Sequence, residues 1–213
     1  MKLTKYVHSC LVLEEQGKKV IIDPGSWATE FGDAANVVAV VVTHVHADHF
    51  SAENLEAIFA QNPDAKLFTT EEVKQQFDKP SVVTPQAGEK VTIGPFTLEF
   101  FGGLHAEIHA IKPVAQNIGV MLNDVLYYPG DALTPPGKPV KVLSMPSAAP
   151  WMKMSEAIQY LQEVKPSEFF FPTHNALLSD KGHQAYETVW LNNAAEALGL
   201  KQTILEPGDA VEI

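Results

Sequence analysis

Residues 36–49 read "NVVAVVVTHVHADH". The first half is an apolar, Val-rich run of strand length without polar alternation, which fits a strand covered on both faces. The second half places three histidines and an aspartate within six positions: His44, His46, Asp48 and His49. On an extended segment the side chains of His44 and His46 share a face, so both can bind one metal ion. Asp48 and His49 follow as the chain turns towards Ser51, which can cap the helix expected over "SAENLEAIFAQN". That turn can aim the second pair at a neighbouring point. Desolvated histidine and aspartate are costly without partners, so the spacing points to ion binding.

One segment cannot fill two coordination spheres. A structural zinc needs about four ligands and a catalytic metal about three plus water. Further ligand types stand where other expected strands run out. "LEFFGGLHAEIHA" supplies His105 after a strand and two glycines, which let the backbone approach closely. "VLYYPGDAL" supplies Asp131 after a Pro-Gly turn, and "FFFPTHN" supplies His174 after another buried strand.

The remaining chain reads as many short strands and a few helices. "KLTKYVHSCLVLEE" and "KKVIIDPG" read as a hairpin about Gly17, and "NIGVMLNDVLYYPGD" as one about Asn123-Asp124. "KLFTT", "VKVLSMP" and the runs either side of Gly94-Pro95 read as strands, as do parts of "KQTILEPGDAVEI". "EEVKQQF", "MSEAIQYLQEVKP" and "HQAYETVWLNNAAEALGL" read as helices, the last with Tyr186, Val189, Trp190, Ala194 and Leu198 at helical spacing. Strands come first, then strands mixed with helices, which predicts an α/β (α+β) fold with packed sheets and helices outside them. With no linker, low-complexity segment or repeat, residues 1–213 are expected to form a single domain.

Composition narrows the partners. Apolar residues make up 46% and charged ones 19%, a globular balance. Lys plus Arg is 15 and Asp plus Glu 26, a net charge of −11 that repels phosphate backbones and disfavours nucleic acid. A small anionic substrate stays open, because a metal site can reverse the local sign. The lone cysteine, Cys10, excludes an intramolecular disulfide and reads as a small buried hydrophobe. No apolar run approaches the ~20 residues of a membrane helix, and "MKLTKYVHSC" lacks the apolar core of a signal peptide. The expectation is a cytoplasmic protein with a small-molecule substrate and no membrane partner. Neither G-x-S-x-G nor a Walker loop occurs, so nothing suggests a serine nucleophile or a phosphate-binding loop.

"HVHADH", followed in order by His105, Asp131 and His174, resembles the signature of the metallo-β-lactamase superfamily. "VHSCLVLEEQGKKVIIDPG" is similar to its N-terminal hairpin. "VHS" further resembles the branch holding ascorbate-6-phosphate lactonase, the N-acyl-phosphatidylethanolamine phospholipase D type and bacterial metal-dependent hydrolases. The resemblance implies a four-layer αβ/βα sandwich with a metal site at one edge of two packed sheets. It implies that His44, His46 and His105 hold one divalent ion, that Asp48, His49 and His174 hold a second, and that Asp131 bridges them. Zinc is the first expectation, with manganese or iron as alternatives.

The chemistry so implied is a dinuclear hydrolase, with Asp48 and Asp131 catalytic. A metal-bridging hydroxide would attack a small ester, lactone or phosphodiester. The competing reading is a non-hydrolytic metal-binding or di-iron redox protein on the same fold. Penicillin hydrolysis is not implied, since the true zinc-dependent β-lactamases lack a carboxylate at the Asp131 position.

Four more residues are candidates for supporting roles or substrate contact. His8 is either a group beside the site or a half-buried strand histidine. Asp23 is expected to hydrogen-bond a ligand histidine. His109 shares a face with His105 only if that piece is helical. Trp151, in "PSAAPWMKM", either lines the pocket or packs in the core, and Trp27 poses the same question. His183 reads as a surface residue where the long helix begins.

Overall fold

A computed structural model describes residues 1–79 and 81–213. The Val-rich run forms β4 (Val37–Val42), lying between β3 (Lys18–Ile22) and β5 (Lys66–Thr69) and parallel to both. From Ala39 onward its side chains alternate, after an irregularity in the pairing with β3 at Val37–Ala39. Ala39 and Val41 enter the core between two sheets, whereas Val40 and Val42 face Leu55 and Ile58 of α1 (Ala52–Gln61) and Val73 of α2 (Glu71–Lys74). Both faces being covered explains why the run shows no polar alternation. Ser51 accepts the Asn54 N–H at 3.2 Å and caps α1.

The first sheet also contains β1 (Lys2–Lys5), β2 (Leu11–Glu15), β6 (Val82–Val83) and β13 (Ala210–Glu212), in the order β13-β1-β2-β3-β4-β5-β6. The second comprises β7 (Lys90–Ile93), β8 (Phe96–Leu104), β9 (Gln116–Leu122), β10 (Leu126–Tyr128), β11 (Val142–Pro146) and β12 (Phe169–Thr173), in the order β12-β11-β10-β9-β8-β7. Phe68 of the first sheet meets Phe100 of the second with ring centroids 5.3 Å apart. The outer face of the second sheet presents Leu143, Met145 and Phe170 to Ala157, Tyr160 and Leu161 of α3 (Met154–Val164). The layers are therefore helix, sheet, sheet, helix, as the sandwich expectation required. No helix among the described residues is long and apolar enough to cross a membrane.

Three local expectations are corrected. The N-terminal segment is not one hairpin but three strands. Between β1 and β2 the chain doubles back, with Cys10 N–H bonded to Val7 O at 3.2 Å and His8 at φ 62°, so His8 is a turn residue and not a strand histidine. The last long helix is composite: α4 (Asp180–His183), a π-helical stretch Gln184–Leu191, and α5 (Asn192–Leu198). Its buried face is Glu187, Leu191 and Ala195, while Tyr186, Val189 and Trp190 are exposed. The Glu187 carboxylate sets that rotation, because Ser147 Oγ and Asn175 Nδ2 donate to it at 2.7 and 2.9 Å. Finally, Gly102 and Gly103 lie within β8, and a Cβ on Gly103 would meet nothing within 4 Å, so close backbone approach is not what that glycine provides.

Candidate metal centre

At the end of β3 the chain holds Asp23 at φ 47°, fully buried. Its carboxylate accepts from Thr43 N–H, Thr43 Oγ1 and His49 Nδ1, each at 2.7 Å, and from Tyr128 Oη at 2.8 Å. These bonds pin the Thr43–His49 loop to the end of β3. Gly25 lets the following turn lie against that loop, since a Cβ there would strike the Asp48 carbonyl. The opposite wall comes from the second sheet: His105 follows β8, Asp131 follows β10 and His174 follows β12. Gly130 has φ 65° and would clash with the Asn117 amide if it carried a side chain. Asn117 in turn accepts Asp131 N–H at 3.0 Å and donates to Pro129 O at 2.9 Å.

These loop ends converge at the seam between the sheets. Donor atoms of His44, His46 and His105 lie within 4.8 Å of one another, and so do those of His8, Asp48, His49 and His174. A third such group, His44, His49 and Asp131, lies between them. Asp131 reaches both sides, with Oδ2 3.4 Å from His105 Nε2 and 2.9 Å from His174 Nε2, and Oδ1 3.2 Å from His49 Nε2.

Hydrogen bonds at the far nitrogens set the tautomers. His49 Nδ1–H donates to Asp23, and His174 Nδ1–H donates to Ala148 O at 2.7 Å. His105 Nδ1–H points to Ala106 O. Thr43 Oγ1 gives its proton to Asp23, so it accepts from His44 Nδ1–H at 3.1 Å. In the neutral rings every Nε2 of these four histidines is then a lone pair facing inward. His44 Nε2 also sits 3.1 Å from His46 Nδ1. The Nε2 lone pairs of His49, His105 and His174 face the Asp131 carboxylate, an arrangement that calls for a positive charge between them.

The buried atoms bear this out. His49 Nε2, His105 Nε2 and Asp131 Oδ1 have no hydrogen-bond partner, although such groups are almost always satisfied. Protons are the cations available without a metal. Burial opposes charging of His49, but Asp131 and Asp23 outweigh it and raise its pKa well above the ordinary value. Burial likewise opposes charging of His174, yet hydrogen bonds to Asp131 and Asp48 lift it to about 9. Burial would favour a neutral Asp131, but the His49 charge beside it, with the bond from His174, holds it well below the carboxylate range. His44 goes the other way: burial, then its histidine neighbours, push its pKa well down. Nitrogen and oxygen donors with open inward valences fit divalent metal ions of the zinc, manganese or iron type.

The supporting candidates are also placed. His8 is buried; its Nδ1 accepts Ala176 N–H at 3.2 Å, so Nε2–H donates to Asp48 Oδ2 at 3.1 Å. It orients Asp48, and burial lowers its pKa. Trp151 is buried, the core alternative, and from there Nε1–H donates to Asp131 Oδ2 at 3.0 Å. Trp27 is partly exposed and lies over His8, with centroids 4.6 Å apart. His109 stands on an exposed, non-helical loop, so it shares no helix face with His105; the two line one cavity beside His46. His183 stands at the surface near the start of the helix, as expected, and its Nδ1 also lies 2.9 Å from Glu187 Oε2. Thr43, Asn117 and Tyr128 were missed. Only Thr43 carried a signal, its place between strand and histidines. The partners of the other two lie 14 and 105 residues away.

Comparison with known proteins agrees with this geometry. The sequence profile of the Beta-lactamase superfamily domain matches residues 2–174. The chain belongs to the beta-lactamase superfamily. Protein Rv0786c of Mycobacterium tuberculosis is 35% identical over 191 residues, covering 87% of this chain and 89% of that one. A UPF0173 metal-dependent hydrolase of Carboxydothermus hydrogenoformans is 25% identical, covering 99% of both chains. Among solved structures, Igni18, a metallo hydrolase from Ignicoccus hospitalis, superposes with TM-score 0.74 at 22% identity, covering 99% of this chain and 97% of that one.

Proposed function

We propose that the protein is a dinuclear metal-dependent hydrolase of a small ester, lactone or phosphodiester. The observation that carries it is the inward set of lone pairs at the seam, with three buried donor atoms left unpartnered. The relatives named as metal-dependent hydrolases support the reaction class. In this reading His44, His46 and His105 would hold one ion and Asp48, His49 and His174 the other, with Asp131 within reach of both groups. Such ions, when bound, acidify a shared water towards a pKa of ~7 and polarise the oxygen of the substrate.

The chain's own residues do the rest. Asp23 and Ala148 O fix the imidazole orientations through Nδ1. Trp151 N–H holds Asp131 Oδ2 and leaves Oδ1 free. His46 and Asp48 are the half-buried members of the set and face the open edge. His8 holds Asp48 there, where its carboxylate can orient the attacking water or return a proton to the leaving group.

Elemental analysis is expected to find about two divalent ions per chain. The metal-loaded protein is expected to hydrolyse at least one class among lactones, phosphodiesters and simple esters. Asp131→Ala should abolish that turnover while leaving the fold largely intact. Iron with no hydrolysis would instead favour a redox role, and unchanged turnover in Asp131→Ala would remove the bridge.

A further inference from the structure

Apolar side chains are unevenly exposed on this protein. Among the described residues ten large hydrophobics are exposed, and four of them, Leu104, Ile108, Ile111 and Val114, fall within one stretch of eleven positions. Scattered exposed apolar residues are ordinary, whereas a contiguous set marks something that covers it. This stretch leaves β8 at His105 and returns at β9, so its start is fixed to the metal centre. Ile111 is 80% exposed.

The loop encloses space beside the centre. A cavity of about 200 Å³ is lined by His46, His105, Ile108, Ile111, Pro113 and Val114. Two of its walls are thus the imidazoles proposed to hold the first ion, and the other four are apolar. An apolar cavity of ~150 Å³ takes up a benzene ring, so this one suits a group of about six to eight carbons. Ala106 and Ala115 add only methyl groups. His109 and Lys112 also border the cavity, both from exposed positions, and His109 Nδ1 is engaged by Ile111 N–H at 3.2 Å. A polyhydroxylated arm would leave most of its hydroxyls without side-chain partners, which is costly. Lys112 can meet a negative charge or donate to a single hydroxyl at the rim, too little to satisfy a polyhydroxylated arm.

Resting on the hydrolase reading above, we infer that the substrate carries an apolar arm of about six to eight carbons next to the bond that is cleaved. The arm lies against Ile108, Ile111 and Val114, on the His46–His105 side of the centre. The opposite side, bordered by Asp48, His8 and Trp27, is left to the leaving group.

Binding and turnover test this separately. Straight-chain carboxylates from acetate to decanoate are titrated into the zinc-loaded protein by calorimetry, and 4-nitrophenyl esters of the same acids are assayed for hydrolysis. Affinity is expected to rise by up to about fourfold per methylene and to level off near eight carbons. The double variant Ile108→Ser/Ile111→Ser is expected to flatten that rise. A flat series in wild-type protein that does hydrolyse the acetate ester would overturn the inference, as would tighter binding of gluconate than of octanoate. A rising affinity series with no turnover of any ester, lactone or phosphodiester would sink the hydrolase reading and leave the apolar subsite standing.

Discussion

Asp23→Asn separates tautomer control from simple stability. Four donors converge on this carboxylate: Thr43 N–H, Thr43 Oγ1 and His49 Nδ1 at 2.7 Å and Tyr128 Oη at 2.8 Å. An amide keeps one acceptor. The backbone N–H of Thr43 cannot invert, so the amide oxygen stays with it and the new NH2 faces the other three. The two hydroxyls can rotate and accept. His49 cannot; it must then carry its proton on Nε2 alone, the atom 3.2 Å from Asp131 Oδ1. A protonated Nε2 cannot ligate, and loss of such a supporting bond typically lowers metal affinity ~10–100-fold, or about 1.4–2.8 kcal/mol. In the metal-free protein His49 already carries both protons, so its Nε2–H contact with Asp131 is kept and the charge-assisted Nδ1 bond is what is lost, at roughly 1.5–3 kcal/mol. Zinc affinity by chelator competition should therefore fall by that ~10–100-fold factor, and nitrogen NMR should show His49 keeping its proton on Nε2 and losing the one on Nδ1. Wild-type affinity for both ions with the proton still on Nδ1 would refute the assignment.

Three further outcomes follow from the same structure. Trp151→Phe keeps an aromatic ring against His105 and His174 but deletes the donor to Asp131; zinc affinity is expected to fall about tenfold with metal-free stability changed by ~1 kcal/mol. Phe100→Ala opens a cavity in the fully buried layer between the sheets, and denaturant titration should show a loss of ~3–5 kcal/mol. His174 has a folded pKa raised to about 9 against an unfolded value near ~6.5, so its protonation stabilises the metal-free protein fully below ~6.5 and is lost as pH rises through about 9. A metal ion must displace that proton, so zinc affinity should climb between those values. Calorimetry in buffers of different ionisation enthalpy should detect proton release at pH 7.5, and none would contradict the raised pKa.

The fold and the donor set were legible because both rest on local pattern. An apolar run followed at once by ligand types needs no long-range information, and the parity of β4 turned out to serve two cores at once. Other features depended on contacts that spacing cannot encode. The rotation of the final helix follows from a buried Glu187 held by Ser147, 40 residues away, so the apolar stripe of Tyr186, Val189 and Trp190 pointed the wrong way. Positive φ at His8, Asp23 and His174 is likewise imposed by tertiary bonds, at ~1–3 kcal/mol each, and no side-chain preference announces it. Trp151 was placed beside the cavity or the core by its neighbours, but its bond to Asp131 joins two loops of the second sheet.

The division of the donors between sheets has a consequence for folding. His44, His46, Asp48 and His49 hang from the first sheet, and His105, Asp131 and His174 from the second. An ion held between them, as proposed, would be a reversible crosslink across the mouth of the sandwich, the part a disulfide plays elsewhere, in a chain whose lone Cys10 can form none internally. Metal at a thousand times its dissociation constant adds ~4 kcal/mol per site to the folded state. Resistance to proteolysis would then report metal supply, with the loops at the seam the first to be cut when the ions are withdrawn.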